Sequence, residues 1–261
     1  MKICYLIVLL TVVTVPSVLQ SVHAQQSLYG RPARLRSLAD LNLLEGNDLA
    51  TSQKTEVLLS WLAEERDNPS PTTAGHGGGP IDTDYLQAQI IKALETKGDP
   101  LAVGWVSAST SVKDQSTRDG MRLVLGFMGD KGQIPAMEKI LTSNTNPYFR
   151  AMAAENLGLL GAVFSIPTLK SARKDAFSVS FASEQNEGKL TTFYPVRQVV
   201  EETINILGKP GLLAQEKQRG QFFAAKVMAA KKYALAHKLS PSHFVRIANR
   251  SRAPGKRAPG A

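Results

Sequence analysis

Side chains able to perform acid–base, nucleophilic or metal chemistry are few in this 261-residue chain. After residue 24 there is no cysteine, and the only histidines are His76, His237 and His243. No two of them have the spacing with which helical histidines share a zinc ion, and the last two lie far in sequence from any carboxylate. The sequence therefore predicts no thiol nucleophile, no metal ligand and no cofactor-binding residue.

Two pairs of carboxylates, Glu201 with Glu202 and Asp82 with Asp84, are the remaining candidates for acid–base chemistry. Charged side chains at helix ends and on helix faces usually serve solvation, so we do not interpret either pair as catalytic. We expect a protein that is not an enzyme, uses no cofactor and has no small-molecule substrate.

A glycine- and proline-rich segment at residues 67–82 is a further candidate, for a phosphate or for a metal held by His76. A phosphate-binding loop needs a lysine and a hydroxyl after its last glycine, where this chain has Pro80-Ile81. The composition is typical of a flexible loop instead. We interpret residues 25–83 as a helical lead-in that contains this loop.

The first 24 residues have the pattern of a secretory signal peptide. Lys2 precedes an apolar run at residues 3–19, and Val22 and Ala24 are small residues where a signal peptidase reads the chain. The alternative is a retained membrane anchor, but the apolar run is short for a span and contains Pro16. We therefore predict a secreted or periplasmic protein that is cleaved near Ala24.

The positive charge of the chain lies mostly at one end. From Lys217 onward there are 11 Lys and Arg residues and no Asp or Glu, which leaves 20 basic against 22 acidic residues before it. We interpret residues 212–239 as a basic helix that caps the last repeat, and residues 240–261 as a disordered basic tail. The alternative is attraction to an anionic membrane, a cell-wall polymer or a nucleic acid. The candidate contacts for that role are Lys226, Lys231, Lys232, Arg246, Arg250 and Arg252.

A repeat with a period near 30 residues organises the chain after residue 80. Four glycines end helical patterns, at Gly98, Gly129, Gly161 and Gly208, with spacings of 31, 32 and 47 residues. Helical units of this period stack into a solenoid, in which each unit buries its apolar face against the next. The sequence thus predicts an all-α fold, an α-solenoid over residues 84–211, in which Gly98 can adopt the left-handed conformation that closes a helix.

The apolar periodicity predicts nine helices, most of them bounded by capping residues, by a proline in the first turn or by a terminal glycine. They cover residues 37–44, 51–65, 84–97, 116–128, 133–141, 147–160, 166–173, 195–207 and 217–239.

The longest glycine spacing contains a segment with strand-like alternation. Phe177, Val179 and Phe181 alternate with small residues, a turn-forming stretch follows, and residues 190–194 favour strand. We predict a β-hairpin inserted in the helical array. Its aromatic residues Phe177, Phe181, Phe193 and Tyr194 either cover apolar surface or contact a partner, and we slightly favour cover.

The array resembles the HEAT repeat, in the short form named after phycobilisome lyases. The resemblance is carried by FRAMAAENLGLLGAVFSIPTL at residues 149–169, with RDGMRLVLGFMGDKGQIPAM and VRQVVEETINILG as neighbouring copies, and it covers about residues 82–211. It implies an array of helix pairs with a curved surface for protein partners. The phycobilisome lyases act on pigment proteins inside cells, which the secretory signal argues against.

Arg118, Arg150 and Arg197 occupy one equivalent position, where HEAT-like repeats of this type commonly carry an arginine. Their guanidinium groups either bond to carbonyls of the adjacent repeat or form a row of cationic contacts for a partner. The equal spacing favours the structural role.

Together these patterns predict a non-catalytic, secreted or periplasmic HEAT-like scaffold whose concave surface binds a protein or peptide. A second hypothesis is a cationic protein whose basic end docks on an anionic envelope surface. A third is a lyase-like enzyme or accessory protein.

Overall fold

The computed structural model describes residues 38–46, 48–67, 83–182 and 190–250. Within these residues the chain is mostly helical, with eleven α-helices and one two-stranded sheet. The prediction of a mostly helical fold with one inserted β-hairpin is therefore confirmed. The signal segment, His76 and the glycine-rich stretch at 68–82 lie outside the described residues.

The elements are numbered here in chain order. The helices are α1 (Leu38–Glu45), α2 (Thr51–Asp67), α3 (Thr83–Lys97), α4 (Pro100–Ala108), α5 (Gln115–Met128), α6 (Ile134–Ser143), α7 (Pro147–Leu159), α8 (Ile166–Ala172), α9 (Pro195–Leu207), α10 (Leu212–Ala236) and α11 (Pro241–Ala248). The strands are β1 (Val179–Ala182) and β2 (Leu190–Phe193), and short 3-10 turns precede α6 (Lys131–Gln133) and α8 (Val163–Ser165).

All nine predicted helices are present, and α4 and α11 were missed. Both missed helices begin with a proline that follows a potential capping residue, at Asp99-Pro100 and Ser240-Pro241. The carboxylate of Asp99 accepts hydrogen bonds from the N–H groups of Leu101 (2.8 Å) and Ala102 (3.1 Å), which satisfies two donors at the start of α4.

The prediction that the chain is disordered from residue 240 is wrong for α11. Phe244 and Ile247 of this helix are only 1% and 2% exposed, and they belong to the main apolar core. The helix packs against α2 and α4. A short helix with two large buried side chains gains enough apolar burial to be ordered, despite the basic residues around it.

The helices between residues 51 and 207 form four consecutive pairs. Helices α3, α5, α7 and α9 each pack against the next, and α2, α4, α6 and α8 each pack against the helix that follows them in sequence. Neighbouring helices approach closely because their contacts use small residues and side-chain hydrogen bonds to backbone. Asn156 of α7 donates to the Leu123 carbonyl (2.9 Å), and Thr203 of α9 donates to the Ala154 carbonyl (3.1 Å).

The glycines that end α3, α5, α7 and α9 have two kinds of backbone conformation. Gly129 and Gly161 have φ values of 108° and 67°, the left-handed conformation that closes a helix. Gly208 has a right-handed φ of −79°, and Gly98 is not among the described glycines with positive φ, so the left-handed prediction for Gly98 is wrong. A side chain at Gly98 would overlap the Leu94 carbonyl oxygen, which explains why glycine is needed there.

The predicted hairpin is present, and its two strands are antiparallel. Val179 pairs with Phe193 and Ala182 with Leu190, so the register leaves residues 183–189 as the connection. The predicted turn at residues 185–188 falls in this connection, outside the described residues. The hairpin therefore stands between α8 and α9, at the position where the repeat spacing is longest.

Helix α10 does not serve as a cap of the last pair alone, so that prediction is wrong. Its main contacts are with α4 and α5, and the chain that follows it reaches α2 and α4. The side chain of Arg66 donates to the Ala248 carbonyl (2.9 Å), and that of Asn249 donates to the Ser111 carbonyl (2.8 Å). The basic C-terminal part thus folds back over the earlier pairs.

Candidate functional site

The three equivalent arginines hydrogen bond to backbone carbonyls. Arg118 donates to the Val112 carbonyl, Arg150 donates to the carbonyls at positions 144 (2.8 Å) and 145 (3.1 Å), and Arg197 donates to the Asp175 carbonyl (2.6 Å). Each carbonyl belongs to the connection that precedes the arginine's own helix. The expectation that the carbonyls come from the adjacent repeat is therefore wrong, because the guanidinium folds back over the N-terminal end of its helix.

Arg150 also makes a bidentate ion pair with Asp175, which lies in the next unit. The Nε and Nη2 atoms are 2.7 and 3.0 Å from the two carboxylate oxygens, and both side chains are largely buried. Burial acts to raise the pKa of Asp175, but hydrogen bonds from Arg150 and from the Phe177 N–H outweigh it and lower the pKa below its usual value. This pair fixes the start of the hairpin segment to α7.

The hairpin aromatics occupy different environments. Phe177 is partly buried and packs edge-on against Tyr148, with ring centroids 5.5 Å apart, which is a covering role. Phe193 and Tyr194 are 39% and 37% exposed, and the guanidinium of Arg197 lies 4.0 Å above the Tyr194 ring. The register places Phe181 opposite Thr191, but its side chain lies outside what the structure describes.

The structure separates the basic residues into different surfaces. Lys231 and Lys232 are exposed on α10, whereas Lys226 is half-buried and its ammonium lies 4.9 Å from the Phe222 ring centroid. Arg246 and Arg250 are exposed at α11 and just after it. Arg252 lies outside the described residues. A single run of charge in the sequence is therefore not a single surface.

The inner side of α10 carries polar groups that meet the glycine turns of the helix pairs. The Glu216 carboxylate forms an ion pair with Lys131, and a Cβ at Gly161 would be 2.5 Å from its Oε2 atom. Arg219 donates to the Phe127 carbonyl, and a Cβ at Gly129 would be 2.9 Å from the Arg219 carbonyl oxygen. The two left-handed glycines thus also allow the close approach of α10.

A buried carboxyl group, Glu95 at the end of α3, lies in the electrostatic field of this contact. Burial, reinforced by repulsion from Glu155, raises the pKa of Glu95 to about 8, although Lys92 and Arg219 act in the opposite direction. Burial also lowers the pKa of Arg219. No ion pair links Glu95 to Arg219 within the described part of the chain, and a pKa of about 8 leaves the Glu95 carboxyl mostly protonated at neutral pH.

The outer side of α10 exposes large apolar side chains among lysines. Leu213, Met228 and Leu235 are 76%, 72% and 84% exposed. Their spacing of 15 and 7 residues places them near one line along the helix. We define the outer face of α10 as Leu213, Lys217, Met228, Lys231, Lys232 and Leu235, all of them exposed. This face combines apolar area with positive charge and contains no carboxylate.

A cavity of about 590 Å³ lies between the inner side of α10, the start of α2 and the turn between α3 and α4. Its walls carry three lysines, one buried serine and one carboxylate: Lys54, Lys97, Lys226, Ser52 and Asp99. Sequence analysis missed this group, since it comes from three segments that are far apart along the chain. No pattern within any one of the segments indicates it.

The histidine predictions also change with the fold. His237 stacks on Tyr233, with ring centroids 3.8 Å apart, and His243 lies 3.2 Å from a carboxylate oxygen of Glu56. His243 is far from any carboxylate in sequence, and the fold brings it to Glu56. In the described residues, no three histidine, cysteine or acidic side chains are grouped as metal ligands would be. None of the described helices has the length and apolar character needed to cross a bilayer.

Comparison with protein-family models finds no match to this chain. Comparison with curated proteins and with solved structures likewise finds none.

Replacing Arg150 by alanine should lower the free energy of unfolding by about 2–4 kcal/mol, because it leaves the largely buried Asp175 carboxylate without its partner. The matched control is Arg173→Ala, which breaks the exposed pair with Glu201 (42% and 55% side-chain exposure) and should cost under about 1 kcal/mol. Urea unfolding of both variants measures the difference. Equal stability of the two variants would contradict a structural role for Arg150.

Replacing Glu95 by glutamine should stabilise the protein at alkaline pH. Because the folded pKa lies above the unfolded one, the wild type binds an extra proton on folding, and its stability falls as the pH rises from about 4.5 to about 8. The variant lacks this pH dependence. Its free energy of unfolding, relative to that of the wild type, should therefore rise by roughly 2–4 kcal/mol between pH 5 and pH 8.

Denaturant unfolding at several pH values tests this expectation. The matched variant Glu155→Gln removes only the repelling charge, and it should move the sloping region to lower pH without abolishing it. A wild type whose stability is flat or rising between pH 5 and 8, with no relative gain in the Glu95 variant, would show that the carboxyl is not held in its neutral form.

Proposed function

We propose that this chain is an exported, non-catalytic helical-repeat scaffold of the HEAT-like type, which binds an acidic protein or peptide through the outer face of α10. Four consecutive helix pairs, in which α3, α5, α7 and α9 each pack against the next, support a HEAT-like arrangement. The secretory pattern at residues 1–24 supports a secreted or periplasmic location.

One observation carries the choice of surface: apolar exposure on α10 coincides with uncompensated positive charge. Leu213, Met228 and Leu235 are more than two-thirds exposed and stand among exposed lysines. Large exposed apolar side chains rimmed by polar groups mark interaction sites. By contrast, α3, α5 and α7 carry none of the described large hydrophobic residues that are exposed. The outer face of α10 is therefore a better partner surface than the concave surface expected from the sequence.

Charge complementarity defines the partner as acidic. Lys217, Lys231 and Lys232 would meet carboxylates of the partner, while the three apolar side chains supply buried area at the centre of the contact. A continuous helix of 25 residues holds these side chains in fixed relative positions, so little order is lost when a partner binds.

Charge reversal at Lys231 and Lys232 should abolish binding of the partner. We expect Lys231→Glu with Lys232→Glu to reduce recovery of partners in crosslinking and affinity capture from the exported fraction by about tenfold or more, because the contact then repels an acidic surface. The matched control reverses two exposed lysines elsewhere, Lys170→Glu with Lys174→Glu, and should recover the same partners as the wild type. Equal recovery with both double variants would contradict the proposed surface.

The alternation of lysines with exposed leucine and methionine also favours a second candidate, an anionic membrane surface. Here Met228→Ser with Leu235→Ser should weaken sedimentation with anionic vesicles about tenfold, since it removes the apolar contact. The double variant Val163→Ser with Phe164→Ser, which removes exposed apolar side chains at another site (50% and 71% exposed), should bind like the wild type. Equal binding of the wild type to neutral and anionic vesicles would exclude this candidate.

A further inference from the structure

The N-terminal end of α2 opens into the cavity beneath α10. The helix has 17 residues, and its first backbone bond runs from the Lys54 N–H to the Ala50 carbonyl (3.0 Å). The N–H groups of Thr51, Ser52 and Gln53 therefore have no partner within the helix, and no acceptor for them is found in the described part of the chain. The Gln53 side chain is turned back and accepts from the Ala50 N–H (3.0 Å).

Ser52 gives a second, independent indication of a ligand. Its side chain lies on the cavity wall and is only 5% exposed, yet its hydroxyl has no hydrogen-bond partner among the residues that the structure describes. It stands one turn before Thr55, whose hydroxyl accepts from the Asp99 N–H (2.7 Å), so both face the turn between α3 and α4. A hydroxyl on the cavity wall that has no partner in the protein can hydrogen bond to a group bound in the cavity.

The charges on the cavity wall favour an anion. Lys54, Lys97 and Lys226 come from α2, α3 and α10, and they line the cavity into which the positive end of the α2 dipole opens. One carboxylate, Asp99, is also on the wall, but it is 4% exposed and is engaged in capping α4. Lys97 and Lys226 therefore add positive charge beside a carboxylate that already has donors of its own.

We propose that this cavity binds a phosphate group. A phosphate oxygen accepts from several donors at once, and a helix N-terminus with free N–H groups, a hydroxyl and lysines supplies them in one place. At about 590 Å³ the cavity has room for the organic part of a phosphate ester in addition to the phosphate itself. The site is separate from the outer face of α10, so either proposal can fail without the other.

Inorganic phosphate added to the isotope-labelled full chain at constant ionic strength tests the site. The amide signals of Thr51, Ser52 and Gln53 should shift in a saturable way. Ser52→Ala and Lys97→Gln should each weaken binding at least about threefold, because each removes one donor to the anion. The matched control Lys232→Gln removes a lysine from the outer face of the same region and should leave the affinity unchanged.

Two outcomes would overturn the proposal. One is shifts at these amides that stay linear in phosphate concentration, and the other is an equal loss of affinity in the Lys232 and Lys97 variants. The serine variant guards against a folding artefact, since that hydroxyl makes no bond that the described fold needs. The wild-type signals also locate the site without any substitution.

Further arms identify the source of the phosphate group. Glycerol 3-phosphate should compete with inorganic phosphate for the same amides if the ligand is a free ester. Bilayer discs that contain phosphatidic acid should perturb those amides, and phosphatidylcholine discs should not, if the ligand is a lipid headgroup. Either result supports the phosphate site, whereas perturbation by neither probe, nor by phosphate alone, contradicts it.

Discussion

The docking of α10 on the turns between the helix pairs is the contact from which both proposed surfaces arise. Its inner side is held by polar groups: Glu216 pairs with Lys131, and Arg219 reaches the Phe127 carbonyl. Ala230 and Ala234 are its only fully buried apolar residues in the described structure. Leu212 and Phe223 of α10 pack partly against the core, whereas Leu213, Met228 and Leu235 are exposed on its outer face. The same contact encloses the cavity, since Lys226 and Ala230 form one of its walls.

Two ionisable groups at this contact, Glu95 and Arg219, are shifted in pKa by burial. Arg219 is drawn out of water, and Glu95 is buried nearby with a pKa raised to about 8. A protonated Glu95 carboxyl adds no electrostatic attraction to Arg219, whereas an ionised carboxylate would be destabilised by its removal from water. None of the large apolar side chains of α10 is fully buried, whereas Phe244 and Ile247 of α11 are buried in the main core, so α11 gains more from apolar burial. Of the two C-terminal helices, α10 is the one more able to respond to a ligand.

The sequence predicted the elements that depend on local patterns, and it failed where distant segments decide the outcome. Helices with apolar periodicity and terminal glycines were placed well, and so was the hairpin, because alternation and turn chemistry are properties of short stretches. The start of α4 at Asp99-Pro100 had a local signal that was overlooked. The order of α11 had none beyond Pro241, since it depends on burial of Phe244 against α2 and α4, which no local pattern predicts.

The candidate functional residues likewise include some that local patterns identify and some that only the contacts between distant segments determine. Repeat spacing identified Arg150 as a hydrogen-bonding residue, but its partners, the carbonyls before α7 and the Asp175 carboxylate, are set by the fold. The basic run was interpreted as one feature, although it contains a half-buried arginine, a cavity lysine and exposed lysines. Lys226 and Lys231 are five residues apart, and a helix turns about 140° beyond one full revolution over that distance, which places them on different sides. A phosphate in the cavity would neutralise the inner lysine and tie α10 to α2, while the outer lysines would keep their charge for a partner. Occupancy of the cavity would thus fix the helix that presents the outer face without competing for its contacts.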